Sequence, residues 1–183
     1  MDLAFSDADR AFQKEVRDWI AANYDEGLKK QLAQSKNGYL DKAGQVAWQK
    51  KLAARGWAAP DWPVEWGGAG FNASQRYIFN MEMSLAGVPT SSPMGLKMVA
   101  PVILAFGSEE QKKHWLPKMA SGEVIGCFGL TEPDYGSNPS GMITRAKEQS
   151  DGSWVLNGAK MWITNGSTAQ VSIVWAKTGD WKE

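Results

Sequence analysis

Apolar residues recur at helical spacing from the start of the chain. After Ser6, the residues Phe12, Val16, Trp19, Ile20 and Tyr24 fall on one face, with charges between them, which predicts an amphipathic helix. Asp41 is placed to cap a second helix that turns Val46, Leu52 and Ala53 inward and ends at Gly56. A third is expected from Ser74 to Leu85, and a fourth from Met94 to Phe106, closed by Gly107. Ser108 and Gln111 have the Ser-x-x-Gln form of a capping box and open a helix that ends near Ala120. Between the second and third helices, residues 57–70 hold too much proline and glycine for regular helix. They read as an ordered loop packed on its tryptophans.

After Gly122 the period becomes strand-like. Residues 124–130 form a compact apolar run and 141–149 alternate. Residues 154–156, 161–164 and 171–176 read as further short strands. Asp151-Gly152 and Asn157-Gly158 are turn signals. Helices followed by strands make the class α+β: an N-terminal antiparallel helical domain over residues 1–122, then a partial antiparallel β domain over 123–183. Four or five short strands neither close a barrel nor supply a second sheet, and residues 177–183 read as the turn after a strand. The β domain is therefore expected to be truncated.

Composition removes several function classes. Lys plus Arg and Asp plus Glu each number 20 in 183 residues, so there is no basic surplus for tracking a phosphate backbone, and nucleic acid is not an expected partner. Cys127 is the only cysteine, so no intrachain disulfide forms. One His and one Cys do not assemble a zinc site. No apolar run has the length of a membrane span, and the N-terminus has neither signal- nor transit-peptide character, so a cytoplasmic location is expected. No G-x-G-x-x-G lies between a strand and a helix. Gly136 and Gly141 have P-loop spacing, but Met142 follows where Lys must sit. His114 reads as a surface residue and Cys127 as part of the core.

Two segments carry candidate chemistry. In residues 127–138 a buried strand runs into a loop of small and hydroxyl residues. Backbone N–H groups leave a ladder at such a strand end and become available to a ligand's polar edge. Thr131 adds a hydroxyl, and Gly136-Ser137 permits close approach of a large anion. In residues 157–166, Trp162 reads either as a core tryptophan of a hairpin or, beside Thr164, as an indole face next to hydrogen-bonding groups, which suits a flat conjugated ligand.

Together these segments resemble the acyl-CoA dehydrogenase family. Leu130-Thr-Glu-Pro with Gly136-Ser137, then Lys160-Met-Trp-Ile-Thr-Asn-Gly166, is similar in order and spacing to that family's two flavin-contacting stretches. Trp62-Pro-Val-Glu-Trp-Gly-Gly-Ala-Gly70 resembles its helix-linking loop, and residues 106–117 with Gly122-Glu123 resemble the approach to its β domain. The resemblance implies FAD as cofactor and an N-terminal helical domain, a middle β domain and a C-terminal helical bundle, the last missing here. It implies that the backbone at Phe128 and Leu130, with Thr131, meets the pyrimidine edge of the flavin. Trp162, Ile163 and Thr164 would lie by the ring, Gly136 would contact the cofactor, and Ser137 would lie near the pyrophosphate and the pantetheine arm of the thioester.

The implied reaction is α,β-dehydrogenation of an acyl-CoA to the 2-enoyl-CoA. Electrons would pass to an electron-transfer flavoprotein or similar acceptor, and the full-length enzyme would be a homo-oligomer. The family's base is a glutamate in the C-terminal bundle. Glu132 is expected to hold the loop instead, and the isolated chain is expected to be inactive.

Asn138 stands where the family usually has Asp, and Tyr135 is bulkier than its usual counterpart. Residues 127–133 and 136–142 are most similar to glutaryl-CoA dehydrogenases. The loop from Trp62 to Gly70 is closer to bacterial enzymes of longer or dicarboxylic chains. Residues 87–96 offer no Arg or Lys for a distal carboxylate. The alternatives are an acyl-CoA oxidase or flavin monooxygenase on the same scaffold, or a non-catalytic fragment serving as an interaction module.

Overall fold

The computed structural model describes residues 4–36, 38–89 and 91–179; of the chain end discussed above, residues 180–183 lie outside the described residues. Among the described residues six α-helices come first: α1 Asp7–Asn23, α2 Glu26–Gln34, α3 Lys42–Ala54, α4 Ala73–Leu85, α5 Ala100–Phe106 and α6 Glu109–Ser121. Four strands follow: β1 Gly126–Gly129, β2 Arg145–Glu148, β3 Trp154–Asn157 and β4 Val171–Val174. The α+β class stands. By internal packing the chain divides into two units, Met1–Ser92 with Lys113–Glu123, and Pro93–Lys112 with Val124–Glu183.

In the first unit the caps do what the sequence asks of them. Ser6 and Asp9 close a reciprocal capping box on α1, and Asp41 accepts from the Gly44 amide at the start of α3. Asn72, not Ser74, caps α4, with Gln75 reaching back to it. Helix α1 buries Phe12, Val16 and Ile20 and packs on α4. A polar bond ties the same pair. The buried Glu82 carboxylate accepts from Arg17 Nε at 2.7 Å and Gln13 Nε2 at 2.7 Å. The Arg17 guanidinium is the main cause holding that carboxyl below its usual range.

Two helical expectations need correction. Helix α2 has no counterpart in the sequence reading, although Asp25 caps it. In α3 the fully buried positions are Trp48, Gln49 and Leu52, while Val46 and Ala53 are only half-buried. The loop after α3 is ordered and aromatic-packed as expected: Trp57 sits edge-on to Phe12, Trp19 and Phe79, and Trp62 is buried.

The second unit begins with a π-helical turn, Met94–Val99, that runs into α5, so the expected single helix from Met94 to Phe106 changes winding partway. This wide turn packs on β1. The contact is backbone-close: a Cβ on Gly126 would lie 3.0 Å from the Cα of Gly95. Ser108 and Gln111 form the expected capping box on α6.

β2 and β3 form an antiparallel hairpin about the turn at Gly152, which takes φ +81°. β1 pairs with β4 in parallel, Phe128 opposite Ile173. That pairing departs from the antiparallel expectation, because the chain between the two strands makes a long excursion and returns on the same heading. A further correction concerns residues 161–164, which form no strand; residues 164–168 are turn. Among the described residues no helix is long and apolar enough to cross a membrane.

Candidate functional site

The site is built at the end of β1. The amides of Val171 and Trp175 donate to the carbonyls of Ile125 and Gly129. In a parallel pairing, alternate residues of a strand face the neighbour, so the odd-numbered residues of β1 address β4. The backbone of Phe128 and Leu130 faces the opposite, unpaired edge. Side chains reach that edge where they can: Asn165 Nδ2 donates to the Gly126 carbonyl at 3.4 Å, and Lys160 Nζ to the Leu130 carbonyl at 3.0 Å.

Beyond the strand the chain turns sharply. Glu132 and Tyr135 exchange backbone hydrogen bonds, both 3.2 Å, and close the loop that carries Gly136 and Ser137, which are exposed. Glu132 points inward and is 2% exposed. Its two oxygens accept from the Ile143 amide at 2.7 Å, the Thr144 amide at 3.0 Å and Lys160 Nζ at 2.8 Å. Burial alone raises this carboxyl. The Lys160 ammonium and the two amides outweigh it and hold it at about 2. The Thr144 Oγ1 itself is buried without a hydrogen-bond partner, so the Lys160 ammonium and the two amides carry the effect. At neutral pH Glu132 is thus an anion that fastens the loop, as the sequence suggested.

The second segment approaches the first directly. The Met161 amide donates to the Thr131 carbonyl at 2.9 Å. Just before that contact Gly158 lets the chain pass close to Thr144: a Cβ there would lie 2.4 Å from Thr144 Oγ1, and its φ is +148°. Trp162 follows with φ +59° and Asn165 with φ +66°. Positive φ is tolerable for Asn and strained for Trp. Trp162 is 84% exposed, not the core tryptophan that a strand position would have given it. The amides of Thr131, Trp162, Ile163 and Thr164 and the hydroxyls of Thr131 and Thr164 make no hydrogen bond to other described residues. An open depression of about 420 Å³ runs along the β1–β4 pair, bordered by Cys127, Gly129, Lys160, Ile163, Gly166 and Val171; Thr131, Trp162 and Thr164 do not line it.

The structure therefore brings Phe128, Leu130 and Thr131 together with Trp162, Ile163 and Thr164, while Gly136 and Ser137 lie on the adjoining exposed loop. The sequence reading missed Lys160 as a link to Glu132. The signal was faint: a lysine two positions before the aromatic and a glutamate within the first motif. Chemically the arrangement is a row of outward-facing donors with an indole face beside them, and no groups of three or more metal-ligating side chains occur among the described residues. Cys127 is buried and free.

Comparison with known proteins gives a consistent picture. Residues 6–123 match the acyl-CoA dehydrogenase N-terminal domain, and residues 127–183 match the acyl-CoA dehydrogenase middle domain. The human mitochondrial short-chain specific acyl-CoA dehydrogenase is 40% identical over 148 residues, covering 80% of this chain and 35% of that protein. The ChsE4–ChsE5 complex from Mycobacterium tuberculosis superposes with a TM-score of 0.79 at 28% identity, over 98% of this chain and 44% of that one. A glutaryl-CoA dehydrogenase from Mycobacterium smegmatis, solved with FADH2, gives 0.69 at 35% identity, over 96% and 44%. The chain thus spans between a third and a half of the length of these relatives. With both domain models matched in order over residues 6–123 and 127–183, the chain belongs to the acyl-CoA dehydrogenase family.

Proposed function

We propose that the chain supplies one face of an FAD site in an enzyme that converts acyl-CoA thioesters to 2-enoyl-CoA. The observation that carries this reading is Trp162, a bulky residue held at φ +59° with its indole 84% exposed. Positive φ at such a residue costs on the order of 1–3 kcal/mol. Neither burial nor a local hydrogen bond compensates it, so a ligand that stacks on the indole is the physical reason for keeping it. The residues fit a flavin. The carbonyls of Leu130 and Thr131 are already occupied by Lys160 and Met161, while the amides of Thr131, Trp162 and Thr164 are not, and a flavin pyrimidine edge presents carbonyl acceptors for such donors.

In this reading the amides of Phe128 and Leu130, with the amide and hydroxyl of Thr131, hold the polar edge of the ring. Trp162, Ile163 and Thr164 line it, with the Thr164 hydroxyl placed to donate to a ring nitrogen. Gly136 and Ser137 serve the pyrophosphate and the pantetheine arm. Bound flavin supplies the hydride acceptor. The helical and β domains divide at residues 122 and 123, the reduced enzyme passes electrons to an electron-transfer flavoprotein or similar acceptor, and the whole enzyme assembles as a homo-oligomer.

The proton at the acyl α-carbon needs a carboxylate base. Glu132 is unsuited, since both its oxygens are engaged and its carboxyl is held at about 2. The 183 residues alone are therefore expected to give no turnover. The native gene product, assayed with FAD, an artificial electron acceptor and a series of acyl-CoA thioesters, should form enoyl-CoA. Hydrogen peroxide in place of acceptor reduction would favour an oxidase, and no thioester oxidation at all would overturn the proposal.

A further inference from the structure

We infer that Lys160 is a positioning residue: by bridging the Leu130 carbonyl and the Glu132 carboxylate it clamps the Trp162 turn to the end of β1, so that the two halves of the proposed flavin face keep one register. The inference rests on the reading above and extends it to a side chain that need not touch the ligand. Lys160 leaves only 12% of its side chain exposed and Glu132 1%. Burying such a pair is an expensive way to gain stability, since apolar residues of similar size often do as well or better. What an ion pair adds is direction.

Here the direction is informative. Lys160 Nζ meets Leu130 O at 3.0 Å and Glu132 Oε1 at 2.8 Å, the residues on either side of Thr131. Lys160 itself lies two residues before Trp162. Glu132 in turn holds the Ile143 and Thr144 amides. The neighbouring Met161 amide completes the tie on the Thr131 carbonyl. A strained turn persists only where its surroundings over-determine it, and Lys160 anchors the chain as it enters that turn.

The test is amide hydrogen exchange, read by NMR, on the 183-residue chain and its K160M, K160R and E132Q variants. In K160M the Met161 amide should exchange faster by about tenfold or more. The Thr131 and Trp162 resonances should move, and amides in the β1–β4 ladder should keep their parental rates. K160R, which retains the cation, should restore most of the Met161 protection. E132Q, which retains the side-chain volume, should loosen Met161 as well. Unchanged Met161 exchange in both K160M and E132Q would overturn the inference. So would no recovery in K160R, or uniform acceleration across the second unit in both K160M and E132Q, which would make the pair a general structural bond.

FAD-induced shifts in the unmodified chain, measured alongside, separate the two claims. Shifts at Thr131 and Trp162 with variants that exchange normally would leave the flavin face and remove the clamp. Local loosening in the variants without any FAD-induced shift would leave the clamp and remove the flavin reading.

Discussion

The Met161 amide lies 2.9 Å from the Thr131 carbonyl and donates to it. This bond joins two segments that are far apart in sequence and ties the residue before Trp162 to Thr131. It also engages the Thr131 carbonyl, while the Thr131 amide stays without a partner among the described residues. Disturbances on either side of this bond should therefore be felt on both.

Trp162 and Trp48 should respond oppositely to truncation. Trp48 is fully buried and its Nε1 donates to the Pro89 carbonyl at 3.0 Å. Trp48→Ala should cost about 3–5 kcal/mol in urea unfolding. Trp162→Gly relieves a positive φ while giving the unfolded chain more freedom, so the net change should stay within about 1 kcal/mol. The same variant should lose its response to FAD. A large loss of stability would mean that the indole packs in the fold.

Glu132 sets an acid limit. Its folded carboxyl sits at about 2, below the ordinary 4.5, so the unfolded chain takes up a proton first. Its contribution is fully present above about 4.5 and is lost as the pH falls from there through 2. Urea midpoints measured against pH should decline across that window. Glu132→Gln should have a lower midpoint at neutral pH and a flatter decline. An identical slope in both proteins would rule out the assigned role.

Two glycines with positive φ separate strain from space. A Cβ on Gly152, φ +81°, meets nothing within 4 Å, so Gly152→Ala should cost about 1–2 kcal/mol. At Gly158 the added Cβ would also lie 2.6 Å from the Thr144 Cα, which is backbone and does not swing aside. Gly158→Ala should cost more than Gly152→Ala and should speed exchange at the Met161 amide. Equal costs in urea unfolding would contradict the close packing of these two chain segments.

Much of the helical unit was legible because its signals are local. Ser6, Asp41 and Ser108 announce helix starts within four residues of sequence, and Phe12, Val16 and Ile20 announce a buried face. Helix α2 escaped because its nine residues bury only Leu28, too little to set a period. The Trp-Ile-Thr run at 162–164 has strand composition, and only the turn forced by Asn165-Gly166 and the positive φ of Trp162 overrides it. The candidate site residues were proposed from resemblance. What held them was not legible: the parallel β1–β4 pairing and the Lys160–Glu132 bond depend on contacts between residues 28 or more apart, and no local pattern encodes them.

The measurement that bears most directly on the flavin face is a titration of the chain with FAD, followed through its amide resonances. The account predicts selective shifts at residues 128–131 and 162–164, smaller ones at Gly136 and Ser137, and none along the β2–β3 hairpin. Saturating FAD that leaves Thr131 and Trp162 unmoved, or that shifts only the helical unit, would contradict it.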